Sequence, residues 1–117
     1  MRKTEGIEIV VVLDKTDAAV DQVKHGLVNL ITEAAILVQA QAAMRAPVRT
    51  GYLRNSIRVE KLPSPDDLEG VVGVGAHYGV YVEFGTRRMA ARPYVAPAVD
   101  ESEKFIKKRL QDLLEGF

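Results

Sequence analysis

The 117-residue sequence contains no cysteine and no tryptophan, and its charges cancel. Without cysteine the chain can form neither disulfides nor zinc–thiolate sites, and it has no thiol nucleophile. Sixteen basic residues balance sixteen acidic ones. This balance argues against general nucleic-acid binding, because such proteins usually carry a basic excess. The apolar runs are short and the N-terminus is charged, so we predict neither a membrane span nor a signal peptide, and expect a soluble intracellular protein.

Signatures of catalysis and of cofactor binding are equally scarce. His25 and His77 are the only histidines, and neither belongs to a recognisable catalytic motif. No metal-ligand spacing is present, and the glycines at 73 and 75 lack the third glycine of a dinucleotide fingerprint. We therefore predict a protein that is not an enzyme and that has no metal, cofactor or small-molecule substrate.

The sequence contains enough apolar residues to form one hydrophobic core. Hydrophobic residues make up 47% of the chain, which at this length supports a single domain, residues 1–117, that folds without disulfides or metal. The β-branched run IEIVVVL predicts a strand over 7–13, covered on both faces. Residues 17–46 show the spacing of a long helix, for which Thr16 or Asp17 is a candidate N-cap, and Pro47 ends it.

The second half of the chain predicts a hairpin and a terminal helix. Residues 57–62 alternate apolar and charged, 63–70 form a polar loop, and VVGVGA (71–76) is a second strand, giving a hairpin over 57–76. Gly73 and Gly75 leave one face of that strand without side chains, which would let a helix or another backbone approach. A helix over 95–115 follows. These elements predict an α+β fold: a small antiparallel β-sheet packed against a long N-terminal helix, with a C-terminal helix.

An aromatic and arginine-rich segment, 77–92, has the most unusual composition. Residues 78–84 fit either a strand or a short helix stopped by Gly85, and we favour the helix. Glu83 is a lone acid in an apolar stretch that precedes three arginines, so we predict an ion pair to an arginine, within the chain or across a subunit boundary. The basic residues could anchor a protein interface or track a phosphate backbone. They are Arg45, Arg49, Arg54, Arg58, Lys61, Arg87, Arg88 and Arg92.

Three segments in this order resemble a known family. They are APVRTGYLRNSI at 46–57, YVEFGT at 81–86 and RPYVAPA at 92–98. The sequence resembles, from Asp17 to its end, the small tail-component proteins (tail-completion or head–tail joining proteins) of long-tailed bacteriophages and prophages. The resemblance implies a structural protein at the head-proximal end of the tail, with the α+β fold described above.

The resemblance also implies partners and a location. It implies a homo-oligomeric ring, with a hexamer as one option, that forms in isolation or only on assembly. The ring would contact the head connector and the tail-tube proteins, and DNA would only pass through it. The protein would be made in the bacterial cytoplasm and incorporated at the head–tail junction.

The candidate interface residues come from the two central segments. They are Thr50, Gly51, Leu53, Tyr78, Tyr81, Glu83, Phe84, Gly85, Thr86, Arg87, Arg88 and Arg92. Two other functions remain open from the residues alone. The first is a small nucleic-acid-binding module that uses the basic residues between Arg45 and Arg92. The second is a hydrolase that acts through His77 and Glu83.

Overall fold

The computed structural model describes residues 7–12, 21–47 and 51–115. The predicted α+β class is confirmed, with two long helices and a three-stranded antiparallel sheet. The candidate caps Thr16 and Asp17 lie outside the described residues. The elements are β1 (Glu8–Val12), α1 (Asp21–Arg45), α2 (Tyr52–Asn55), β2 (Ile57–Lys61), β3 (Glu69–Val74), α3 (Gly79–Phe84) and α4 (Val95–Glu115).

The sheet has the order β1-β3-β2, with β3 in the centre. The predicted hairpin is confirmed as β2 paired with β3, and its register breaks between Val59 and Lys61. β3 begins and ends two residues earlier than predicted. It begins earlier because Glu69 and Gly70 pair with Val12 and Val11 of β1. These partners are distant in sequence, so the local pattern of residues cannot reveal the pairing.

The prediction that the first strand is covered on both faces is wrong. β1 is an edge strand in which Val11 is buried, whereas Val10 is 48% exposed and Val12 is 59% exposed. α1 packs on the face of the sheet that carries Val11, and α4 packs on α1. A single layer of helices covers only one face, so the near-continuous β-branched run leaves alternate valines in solvent.

The close approach of helix to sheet also lies elsewhere than predicted. A Cβ on Gly70 would lie 3.2 Å from Cγ2 of Ile31 and 3.6 Å from Cβ of Ala35, so α1 crosses the sheet at Gly70. Gly73 instead lies beneath the carboxylate of Glu60, and Gly75 makes only ordinary contacts with Ser56. The prediction for Gly73 and Gly75 was therefore wrong, because residues on opposite faces of β3 alternate and only the even-numbered ones face α1.

α1 provides one side of the core. By length and composition alone it could cross a membrane between Lys24 and Arg45. Its apolar residues nevertheless form a buried stripe, which includes Ile31, Ala35, Val38 and Ala42 and belongs to the hydrophobic core. A helix that packs in a protein core can meet the same criteria of length and composition.

α4 lies along α1 over much of its length. The helices approach closely at Gly26, where a Cβ would lie 2.6 Å from Cδ1 of Leu113. Arg109 of α4 also pairs with Glu33 of α1 at 2.5 Å between Nη1 and Oε1. Both of these side chains are partly exposed, so the ion pair adds little stability. Packing at Gly26 therefore contributes more than charge to the position of α4.

Candidate interaction surface

The two central segments meet at one end of the sheet. α2 leads directly into β2, and β3 leads directly into α3. Because β2 and β3 are antiparallel, the start of β2 and the end of β3 lie side by side. α2, α3 and the loop 85–92 that follows α3 are therefore gathered at this end, and the hairpin tip, residues 62–68, lies at the other.

The segment 78–84 forms the short helix that we favoured, α3, and it ends at Gly85. Gly85 has φ = +80°, a conformation that favours glycine, and its N–H donates to the carbonyl of Tyr81 at 2.7 Å. A Cβ there would lie 2.8 Å from the amide nitrogen of Ala91. Gly85 thus allows the chain to reverse and to close against the far side of the loop.

The loop 85–92 is fastened at its base. Thr86 N–H donates to the carbonyl of Met89 at 2.8 Å, and Arg92 N–H donates to the carbonyl of Val82 in α3 at 2.8 Å. Residues 86–92 are all exposed. These bonds hold the side chains of Arg87 and Arg88 in solvent on a short turn that also carries Met89.

The predicted pairing of Glu83 with an arginine is wrong. Glu83 is only 6% exposed, and its Oε1 accepts hydrogen bonds from the N–H groups of Tyr94 and Val95, both at 2.8 Å. Its Oε2 accepts from Ala96 N–H at 3.1 Å. These amides open α4, where N–H groups lack partners within the helix and the helix dipole is positive. A helix terminus, not a side-chain cation, therefore balances the buried charge.

Tyr94 is the important residue of this region that was not among the candidates. It is fully buried, and its hydroxyl donates to the carbonyl of Gly79 at 3.0 Å. Burial, the nearby negative charge of Glu83 and Tyr78 together raise the pKa of Tyr94 to about 12. The sequence signal was its position after Pro93 at the start of a helix, and this signal does not by itself reveal burial.

This shift predicts a late tyrosine titration. We expect one of the four tyrosines to ionise near pH 12 in the folded protein. This late ionisation step should be absent when the Tyr94→Phe variant is titrated. Unfolded tyrosine ionises near pH 10. The stabilising contribution of the shifted pKa is therefore complete below about pH 10 and is lost as the pH rises towards 12. Ultraviolet absorbance of tyrosinate measures the titration, and a normal titration of all four tyrosines would contradict the burial of Tyr94.

A second prediction concerns the contact of α3 with Tyr94. A Cβ on Gly79 would lie 2.6 Å from the Tyr94 hydroxyl and 2.8 Å from Cγ1 of Val74. We expect Gly79→Ala to lower the free energy of unfolding by about 2 kcal/mol through overpacking. Gly75→Ala is the matched control, because its Cβ would lie no closer than 3.5 Å to the carbonyl oxygen of Ser56. Urea denaturation compares the two, and equal stabilities would contradict the tight packing at Gly79.

An open groove of about 770 Å³ separates α2, α3 and the loop. Its volume lies in the range typical of binding clefts. Leu53 is buried in its wall, whereas Tyr81 is 54% exposed and Met89 is 41% exposed. The groove is lined by Pro47, Gly51, Leu53, Tyr78, Tyr81, Val82, Thr86, Met89 and Arg92. We call it the α2/α3 groove.

The structure therefore brings together half of the predicted interface residues. The candidates that line the groove are Gly51, Leu53, Tyr78, Tyr81, Thr86 and Arg92. Arg87 and Arg88 lie beside it on the loop, and Phe84 is 72% exposed on α3. Glu83 and Gly85 shape the loop and α4 instead, and Thr50 lies outside the described residues. Pro47, Val82 and Met89 were missed because only the fold places them at the groove.

Three arginines lie at or beside the groove. Within the described residues, the guanidinium groups of Arg87, Arg88 and Arg92 form no ion pair. The one acid of α3, Glu83, is turned inward to α4. The mouth of the groove therefore combines apolar and aromatic side chains with arginines that form no ion pair to another described residue.

The two residues proposed for hydrolysis lie in different environments, with Glu83 buried and His77 exposed. His77 is exposed and its ring contacts the edge of Tyr78, with 5.9 Å between ring centroids. Both carboxylate oxygens of Glu83 are occupied by backbone amides. The part of the chain that the structure describes also holds no group of three or more side chains suited to a metal ion.

The chain matches the model of a known protein family. Residues 11–85, more than half of the chain, match the model of the HK97-gp10-like family, described as "Bacteriophage HK97-gp10, putative tail-component". The match includes α1, the sheet hairpin and α3, and it ends at Gly85, so the resembling segment at 92–98 lies outside it. No curated protein and no solved structure matches the chain significantly.

Proposed function

Because the chain belongs to the HK97-gp10-like family of phage tail components, we propose that it completes the head-proximal end of the tail and joins it to the head. In this role it is a structural protein that works through interfaces. Copies associate with one another as a ring, with a hexamer as one option, and the ring contacts the head connector and the tail-tube proteins. It is made in the host cytoplasm, and its place in the virion is the head–tail junction.

The observation that carries this proposal is the α2/α3 groove with its flanking arginines. Aromatic residues and arginine are the residue types enriched where protein interfaces gain most of their binding energy. The surface is also rigid, because backbone hydrogen bonds fasten the loop and Glu83 ties α3 to α4. A rigid surface loses little conformational entropy when a partner binds. These features suit a permanent joint in a particle better than a reaction centre.

Deletion of the gene from its phage or prophage tests the proposal. We expect lysates with DNA-filled heads and complete tails that are not joined, seen by negative-stain electron microscopy. Supplying the chain in trans should restore joined, infectious particles. Normal particles without the gene would overturn the proposal, as would a defect confined to the head or to the length of the tail.

The alternative, a nucleic-acid-binding module, gains little from the structure. Of the basic residues between Arg45 and Arg92, Lys61 pairs with Asp67 and Glu69, and Arg54 donates to the carbonyl of Ala43. Steep loss of DNA affinity with rising salt would support this alternative. We expect no DNA shift in a gel at physiological salt.

A further inference from the structure

The two ends of the hairpin carry opposite charges. The α2/α3 groove and its three arginines lie at the end where β2 begins and β3 ends. The connection 62–68 lies at the other end of the hairpin. The paired strands between the two ends are five and six residues long, so the groove and the connection are roughly 17–20 Å apart. No residue of this tip lines the groove. A contact between the two ends within one copy would have to cross this length of sheet.

The tip is acidic, apolar and rigid. The tip carries Asp66 and Asp67, and Glu69 follows it. Asp67 and Glu69 share one cation, Lys61, whose Nζ lies 2.6 Å and 3.4 Å from their carboxylates. This leaves the tip with net negative charge. Leu62 next to these acids is 59% exposed. Two prolines restrict the loop, and Ser64 and Asp67 exchange backbone hydrogen bonds of 2.9 Å and 3.0 Å across the turn.

The groove is the complement of this tip. It offers an apolar cleft to a side chain such as Leu62, and arginines at its mouth to carboxylates such as that of Asp66. Opposite charges on separate patches of one chain favour contacts between copies and oppose the contact of like patches.

We propose that the hairpin tip of one copy docks into the α2/α3 groove of the next, with Leu62 in the cleft and Asp66 facing Arg87 and Arg88. The contact is heterologous, since it joins two different patches, and such contacts generate rings when the rotation closes. This inference rests on the self-association in the proposed function and identifies the two surfaces that form it. The occupant of the groove is thus a second copy of this chain.

The absence of cysteine from the sequence permits a direct test by cross-linking. We would mix full chains carrying Leu62→Cys with full chains carrying Met89→Cys under mild oxidation. The expected result is a disulfide-linked heterodimer, and the double variant should give a ladder of linked copies. The control pair is Leu114→Cys with Met89→Cys, because Leu114 is similarly exposed, at 56%, but lies on α4.

We expect the Leu62–Met89 pair to link in a yield roughly tenfold above the control, because a specific contact raises the effective concentration of the two thiols. The same double variant should link within particles assembled from it. Yields equal to the control both in solution and in particles would overturn the inference.

Charge reversal provides a second, independent measurement. Asp66→Lys alone and Arg88→Glu alone should each weaken self-association. In each variant the contact between two copies would bring side chains of like charge together, at the tip of one copy and the groove of the next. An equimolar mixture of the two should recover it, since the lysine of one variant then meets the glutamate of the other. A mixture that associates no better than either variant alone would overturn the inference.

The inference and the proposed function can fail separately. If deletion of the gene leaves heads and tails unjoined but the cysteine pair does not link above control, the tip–groove contact is wrong and the joining role stands. If the pair links but deletion yields normal particles, the contact stands and the joining role is wrong.

Discussion

Replacement of Glu83 by alanine should lower the free energy of unfolding by about 3 kcal/mol, a large part of the stability of a small domain. The change removes three hydrogen bonds from a buried carboxylate to the amides of Tyr94, Val95 and Ala96. It leaves those amides without their acceptor at the start of α4 and removes the charge that the helix dipole favours. Because the bonds join α3 to α4, the loss affects the tertiary fold as well as one helix.

Two further variants separate charge from simple loss of a side chain. Glu83→Gln keeps the shape but directs an NH₂ group at amide donors, so we expect it to recover less than half of the loss. Glu103→Ala, an exposed change within α4, should stay within about 0.5 kcal/mol of the original protein. Urea denaturation followed by circular dichroism measures all three. Equal stabilities of Glu83→Ala and Glu103→Ala would show that the carboxylate does not anchor α4.

The second large effect concerns assembly and not stability. The double change Arg87→Glu and Arg88→Glu should reduce the affinity of the groove for its partner roughly a hundredfold, about 3 kcal/mol, because it replaces attraction by repulsion. Stability should change little, since both side chains are exposed and form no ion pair in the described residues. The yield of infectious particles in a complementation assay should fall by a similar factor.

The matched control is the double change Lys107→Glu and Lys108→Glu. It makes the same change of charge at two adjacent, exposed positions on α4, away from the groove. Complementation by this control should remain close to that of the original chain. An equal loss of infectivity in both double variants would attribute the effect to net charge and would remove the special role of the loop.

The order and type of the elements could be predicted from the sequence because their signals are local. Pro47, Gly85 and Pro93 mark the ends of helices, and the alternation in 57–62 marks a half-exposed strand. The burial of β1 could not be predicted in this way. A run of β-branched residues looks the same in a central strand and in an edge strand, and only the layer of helices decides which face is covered.

The candidate surface was predictable in composition but not in arrangement. Its tyrosines and arginines were evident, and six of the predicted residues line the groove. The hydrogen-bond partners of Glu83 were not evident, because they are backbone amides eleven to thirteen residues away. Backbone groups carry no sequence signal, so the sequence indicates only the neighbouring arginines as partners for this acid. Met89 was missed because it enters the groove only through the turn that Gly85 permits.

Localisation of the chain in purified virions tests the central claim most directly. Particles complemented with a C-terminally tagged chain would be labelled with gold-conjugated antibody and imaged by electron microscopy. We predict label at the head–tail junction of intact virions and at the head-proximal end of free tails. Label at the distal tip, along the tail or nowhere on the particle would contradict a joining role.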